Sequence, residues 1–256
     1  MNIFVAPFTN ALFGFYYLLG NLGWSVVVVT VLIRMILLPL LWPSLKSAKK
    51  MATLQPRLKK LQEQFGKDKE GLAKAQMQMY KSEGVNPLSG CLPNILQVAV
   101  LLIFFSAFNM VTLFAEGKGK MEEINRQLIP AFRINESFKF NSDFMGVNLV
   151  ATPAKIFEKG MSLAMIVPLV LLLGSAVLQY FSSKLMMPSP KTDKMVVKET
   201  KDKEDDMMGM MRTQSMYMMP IMTVFIGWSF SIGMLLYWFV NSLVMLGQQV
   251  LALKNG

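Results

Sequence analysis

The stretch Trp24 to Leu41, with Arg34 inside it, restricts what this chain can become more than any other. It is about 18 residues of otherwise uncharged, mostly apolar sequence, enough to cross roughly 30 Å of hydrocarbon as a helix rising 1.5 Å per residue. Counted back from Leu41, Arg34 lies about 10 to 12 Å inside that slab. A guanidinium does not lose its proton in proteins, so the charge needs water or a partner. Insertion scales put a lipid-facing arginine at about 2.5 to 3.5 kcal/mol, and simulations put it above about 10. Three arrangements meet the demand: snorkelling toward the headgroups, a permanent pair with a buried acid, or a wet cavity beside the helix. No Asp or Glu occurs in any other membrane-length segment, which disfavours the internal pair. An acidic partner, if there is one, then arrives from elsewhere.

The 256 residues are 53% hydrophobic with a mean hydropathy of +0.41, the profile of a polytopic membrane protein with soluble insertions. Histidine is absent, which removes His-based acid–base catalysis and ordinary His-ligated metal sites. The single Cys91 allows no internal disulfide. No phosphate loop, dinucleotide fingerprint or nucleophile elbow is present. A non-enzymatic protein without cofactor or metal is expected.

The net charge of +10 matters through its distribution between spans. Residues 1–23 carry no charged side chain, and Leu12, Phe15, Tyr16 and Leu19 recur at helical spacing, which predicts an interfacial helix ended near Gly20 and Asn21. A cleaved signal peptide would want a basic start, which is missing. The first span is expected over 24–45, with Pro39 and Pro43 bending its inner end. Residues 46–84 hold ten Lys or Arg against four acids, so the positive-inside rule places them in the cytoplasm and the N-terminus outside. There Leu54, Leu58, Leu61 and Phe65 continue into Leu72, Ala75 and Met79 at helical spacing, with Gly66 and Asp68 as stop and start signals and Pro56 in a first turn. This predicts an antiparallel helical hairpin. Its charge fits either two solvated helices packed on each other or a mobile basic arm that meets a ribosome, a partner or an incoming polypeptide.

The second span is expected over 85–114, with a turn at Asn86-Pro87 and Ser89-Gly90 and with Gln97 about one turn inside it. A lone intramembrane Gln serves an interhelical hydrogen bond or, beside an unpaired arginine, a shared polar cavity. Residues 115–160 hold seven bases and six acids, as an outer loop should, with a surface helix possible over Met121 to Phe132 and irregular chain over Asn135 to Pro153. The third span is placed at 161–181 and a second cytoplasmic loop at 182–215, whose stretch from Pro188 to Asp206 reads as disordered. The methionine-rich run after it, from Met207 to Met219, is either an adaptable apolar binding surface or plain filling of a membrane entrance. Residues 216–230 and 231–256 form a tight pair of short spans with a reversal around Ser229 to Gly233, ending inside. Short spans favour a locally thinned bilayer.

Five pieces, in order, resemble the YidC/Oxa/Alb family of membrane protein insertases: Val31 to Leu40 around Arg34, Leu54 to Glu63, Gly84 to Pro93 running on to Gln97, Met218 to Met222 with Pro220, and Leu236-Tyr237-Trp238 with Asn241 and Gln248-Gln249. The resemblance covers nearly the whole chain. It implies an all-α polytopic fold of five transmembrane helices, N-out and C-in, around a hydrophilic groove open to the cytoplasm, with a cytoplasmic helical hairpin. It implies that Arg34 draws polar and acidic parts of a substrate into the groove, with Thr30, Gln97, Asn94, Trp238 and Asn241 as candidate groove residues and Arg57, Lys59 and Lys60 as candidate recruiting residues. The implied partners are nascent membrane proteins, the ribosome, the Sec translocon and membrane lipids, with no DNA, in a monomer of the bacterial cytoplasmic membrane. Ser231-Ile232-Gly233 replaces a Pro-Ala-Gly turn common before the family's last helix. No long basic tail or large periplasmic domain is seen, so a minimal bacterial form is expected. From the residues alone, a small anion transporter binding at Arg34 and a passive assembly scaffold remain open.

Overall fold

The computed structural model describes residues 2–66, 68–85, 92–158, 160, 162–186 and 214–254. The turn expected at 86–90, the charged stretch 188–206 and the methionines at 207–211 lie outside the described residues. The structure is mostly helical. Among the described residues, four helices are long and apolar enough to cross a membrane: Leu22–Met51, Ile95–Ala115, Leu163–Met186 and Ile232–Lys254. Two apolar helices are shorter, Ile3–Leu19 and Met216–Gly227.

Helix α1 (Asn2–Leu19) buries Val5, Phe8, Leu12, Phe13 and Tyr16 along one side. Gly20, at φ 64°, breaks it, because only glycine enters that region without a steric penalty. Asn21 then caps α2 (Leu22–Phe65), accepting from the amides of Gly23 and Trp24. Helix α2 runs 44 residues through Pro39, Pro43 and Pro56. The sequence placed Pro56 in the first turn of a new helix, but it sits inside the old one. All three prolines lie on exposed faces, where a helix absorbs the ring by bending and only one backbone hydrogen bond is lost at each. Helix α3 (Lys69–Ser82) starts at Asp68, whose carboxylate accepts from Gly71 N. It packs back on α2, so that Tyr80 and Val85 bury with Leu54 and Leu58.

Helix α4 (Leu92–Ala115) leads to an insertion that is far more ordered than its composition indicates. The surface helix expected to reach Phe132 stops early, as α5 (Met121–Asn125). The Asn125 side chain explains the stop: its Nδ2 donates to Ile134 O and its Oδ1 accepts from Ile134 N, each at 2.9 Å, closing a loop that competes with further helix. A small antiparallel ribbon follows, β1 (Asp143–Phe144) on β2 (Val147–Asn148). Phe13, Tyr16, Phe138 and Phe140 form edge-to-face contacts that hold this insertion on α1. Asn10 adds two hydrogen bonds, to Gln127 O at 2.6 Å and from Ile129 N at 2.8 Å.

After α6 (Pro153–Glu158), helices α7 (Ile166–Met186), α8 (Met219–Gly227) and α9 (Ile232–Lys254) complete the bundle, with a π-type turn at Gln214–Met218 leading into α8. Helix α9 is the most enclosed span, with 50% of its apolar window buried. The corner between α8 and α9 is held by the insertion: Ile232 N donates to Ala151 O and Gly233 N to Leu149 O, both at 2.8 Å. The bundle thus has a loop end, closed by the 116–158 insertion, and an arm end, from which α2 and α3 project.

Candidate functional site

Arg34 sits where three helices meet. Helix α2 carries it with Thr30 one turn earlier, α4 brings Gln97, and α9 brings Tyr237, Asn241, Met245 and Gln248, whose 4-4-3 spacing puts them on one helix face. The residue is 7% exposed. Its Nε donates to Asn241 Oδ1 at 2.5 Å, and its Nη2 donates to Gln97 Oε1 and lies 3.7 Å from Met245 Sδ. Gln248 Nε2 donates to the Arg34 carbonyl at 3.0 Å, a second tie between α2 and α9.

Every one of these acceptors is neutral. Among the described residues no carboxylate reaches the guanidinium, and Nη1 makes no hydrogen bond. A guanidinium offers five N–H donors, so this site leaves part of its capacity open while the charge itself stays uncompensated. Thr30 lines the cleft, with its hydroxyl already donating to Val26 O at 2.6 Å. The Tyr237 hydroxyl is buried without a geometrically sound hydrogen bond, next to Gln97 and Arg34, and its ring stacks on Phe104 at 4.1 Å between centroids. Leu37, Leu41, Leu96 and Val100 provide apolar walls. The free space between them is about 10 Å³, room for roughly one water. Among the described residues the arginine is therefore neither snorkelled out nor paired with an acid; it is held by amide oxygens beside a very small space.

The structure brings Arg34, Thr30, Gln97 and Asn241 together. Asn94 lies in the first turn of α4, and its side chain is outside the described residues. Trp238 does not line the cleft; it packs beside Phe230, with ring centroids 6.1 Å apart. Its neighbour Tyr237 occupies the cleft instead, a consequence of one 100° step around the helix. On the arm, Arg57 pairs with Glu83, Lys60 is exposed, and the Lys59 side chain is outside the described residues. Tyr237 and Gln248 belong to the last-helix motif but are not among the expected groove residues, and Met245 is not picked out by the sequence at all. Their helical spacing with Asn241 was the available signal.

Several membrane-length helices around a buried cation that meets no carboxylate among the described residues define a multi-pass membrane protein with a polar cleft inside its bundle. Sequence comparison makes this specific: the chain belongs to the 60Kd inner membrane protein family, the YidC/Oxa/Alb family, which matches residues 14–256. A protein of Streptomyces avermitilis named membrane protein insertase YidC is 30% identical over 240 residues, covering 91% of this chain and 51% of that protein. A Pelobacter propionicus protein of the same name is 27% identical over 250 residues, 97% of this chain and 38% of that one. In Fusobacterium nucleatum a third is 29% identical over 237 residues, 93% of this chain and 88% of that protein. The chain thus spans about half the length, or less, of the first two relatives and most of the third.

Proposed function

We propose that this chain is a membrane protein insertase, moving hydrophobic segments of newly made proteins from the cytoplasm into the bilayer without nucleotide. The observation that carries the reading is Arg34, a buried cation that among the described residues meets the amide oxygens of Asn241 and Gln97 and the Met245 sulfur but no carboxylate. An acidic or polar flank of a substrate offers what the site lacks. Burial of the substrate's apolar segment in lipid drives the step, and Arg34 with its water lowers the penalty for carrying the flank.

In this reading the arm end is cytoplasmic and the loop end external, giving N-out and C-in in a bacterial cytoplasmic membrane. The short helix at Met216–Gly227 acts as a fifth span across a thinned bilayer, and a groove open to the cytoplasm, with Asn94 as a candidate lining residue, leads toward Arg34. The α2–α3 arm, with Arg57, Lys59 and Lys60, meets incoming chains, ribosomes or a Sec translocon. Exposed Met218, at the end of the π-type turn, and Met219 and Met222 on α8 offer an adaptable apolar surface along the way into lipid. The basic charge of 46–84, and the lack of an acid at Arg34 among the described residues, support this arrangement.

The test is reconstitution of the purified chain in liposomes with one single-span substrate, read by protease protection of its translocated flank. Protection that depends on the chain supports insertion; none would leave a scaffold. Arg34→Ala is expected to reduce protection of acid-flanked substrates more than of neutral ones, and equal loss for both would argue against charge recognition.

A further inference from the structure

Immediately around Arg34 the free space is room for roughly one water, so a peptide flank reaches the guanidinium more readily if one wall of the cleft moves. The helices differ sharply in how firmly they are held. Helices α2 and α9 are tied at three levels: Arg34 to Asn241, Gln248 to the Arg34 carbonyl, and Lys49 Nζ to Leu253 O at 2.7 Å. Helix α4 is deeply buried in only one half, while the other half reaches the core through the partly buried Val100 and Leu101. Toward the loop end Phe104, Ala107, Phe108 and Val111 are all fully buried, and Phe104 packs edge-on to Phe8 and flat on Tyr237. Phe108 lies so close to Gly233 that a Cβ there would come within 2.0 Å of its ring. Toward the arm end Ile95, Val98 and Leu102 are 66%, 51% and 61% exposed, and α4 has the least buried window of the four spans, 22%. Among the described residues, Gln97 is the one side chain through which this half is hydrogen-bonded to its neighbours.

We propose that α4 is a hinged wall of the cleft, pinned at Phe104 and Phe108 and latched by Gln97 on Arg34. A substrate carboxylate then reaches the arginine by displacing the Gln97 oxygen, and the arm half of α4 swings outward. The substrate part of this proposal rests on the insertase reading. A single interhelical hydrogen bond between uncharged and charged partners is a weak tie in lipid, whereas a carboxylate engages a guanidinium through two parallel bonds and cancels its charge. The latch is therefore selective: it yields to an acid and holds against neutral chain. Because the pivot sits among aromatic rings at the loop end, opening widens the cleft only toward the arm.

The experiment uses the full chain in lipid nanodiscs, in a Cys91→Ser background, with distances between spin labels measured by pulsed resonance. One pair, at Ile36→Cys and Val98→Cys, reports the arm half; another, at Val28→Cys and Asn109→Cys, reports the loop half. The probes are a synthetic single-span peptide with an Asp-containing flank and its Asp→Asn counterpart. The hinge predicts that Gln97→Leu without peptide, and the wild-type latch with the Asp peptide, both shift the arm pair to longer distance while the loop pair stays put. The Asn peptide should leave both pairs unchanged. An unmoved arm pair in Gln97→Leu, or equal lengthening of both pairs, overturns the hinge whatever an insertion assay shows. Opening by Gln97→Leu but not by the Asp peptide overturns displacement by substrate, and with it the receiving role of Arg34, and leaves the hinge standing.

Discussion

Arg34 is solvated inside the bundle by amide oxygens, and that choice of partner has a measurable consequence. A carboxylate would neutralise the charge for good; Asn241 and Gln97 stabilise it and leave it available. Removing one of these acceptors leaves a buried charged donor short of a partner, at a cost of about 1 to 3 kcal/mol. Asn241→Leu is accordingly expected to lower the thermal midpoint in nanodiscs. An unchanged midpoint would mean that cavity water already does the work of the amide. Tyr237 shows how far a residue's role depends on a single helical step: it lines the cleft, whereas Trp238 beside it meets Phe230.

Among the elements, α4 and α9 approach each other as closely as side chains allow where Phe108 meets Gly233. Gly233→Ala is expected to destabilise the fold by about 1 to 3 kcal/mol through overpacking, with a matching fall in thermal midpoint, since the neighbour is a fully buried ring that has no room to retreat. The corner before α9 is held by backbone bonds that Ile232 N and Gly233 N donate to Ala151 O and Leu149 O. The arm offers a contrast between packing and charge. Leu58, 5% exposed, is expected to cost about 2 to 5 kcal/mol of local stability when changed to Ala. Arg57→Ala removes only an exposed ion pair with Glu83, for which less than about 1 kcal/mol is expected. Hydrogen exchange of α3 amides compares the two directly, and a larger effect from Arg57 would mean that charge, not burial, holds the arm.

At the scale of the whole molecule, the insertion at 116–158 closes one end of the bundle and links its helices. Glu116, just past α4, accepts from Lys118 Nζ at 2.8 Å and from Lys155 Nζ of α6 at 2.9 Å. Those hydrogen bonds, Lys118 first and Lys155 next, hold its carboxyl below the usual carboxylate range. A depressed folded-state pKa contributes stability that is present above the ordinary carboxylate value and lost as pH falls through the lower one. The α4–α6 junction should therefore loosen only in distinctly acidic solution. Hydrogen exchange over 148–156 is expected to rise there in the native chain, and Glu116→Gln should show the higher exchange already at neutral pH and no further change on acidification.

The sequence by itself determined the class of molecule, the long spans and the central demand, because a permanent charge in a membrane-length apolar run is a constraint that no packing can remove. It also pointed to Gln97, since a polar side chain at that depth needs a partner, and the family resemblance pointed to Asn241. Tertiary structure alone decided how Arg34 is satisfied, that Tyr237 rather than Trp238 faces it, that α2 continues through Pro56, and that the insertion is an ordered cap. Each of these depends on contacts between residues far apart in the chain, such as Arg34 with Asn241 or Asn10 with Gln127, and local periodicity carries no information about which distant faces will meet.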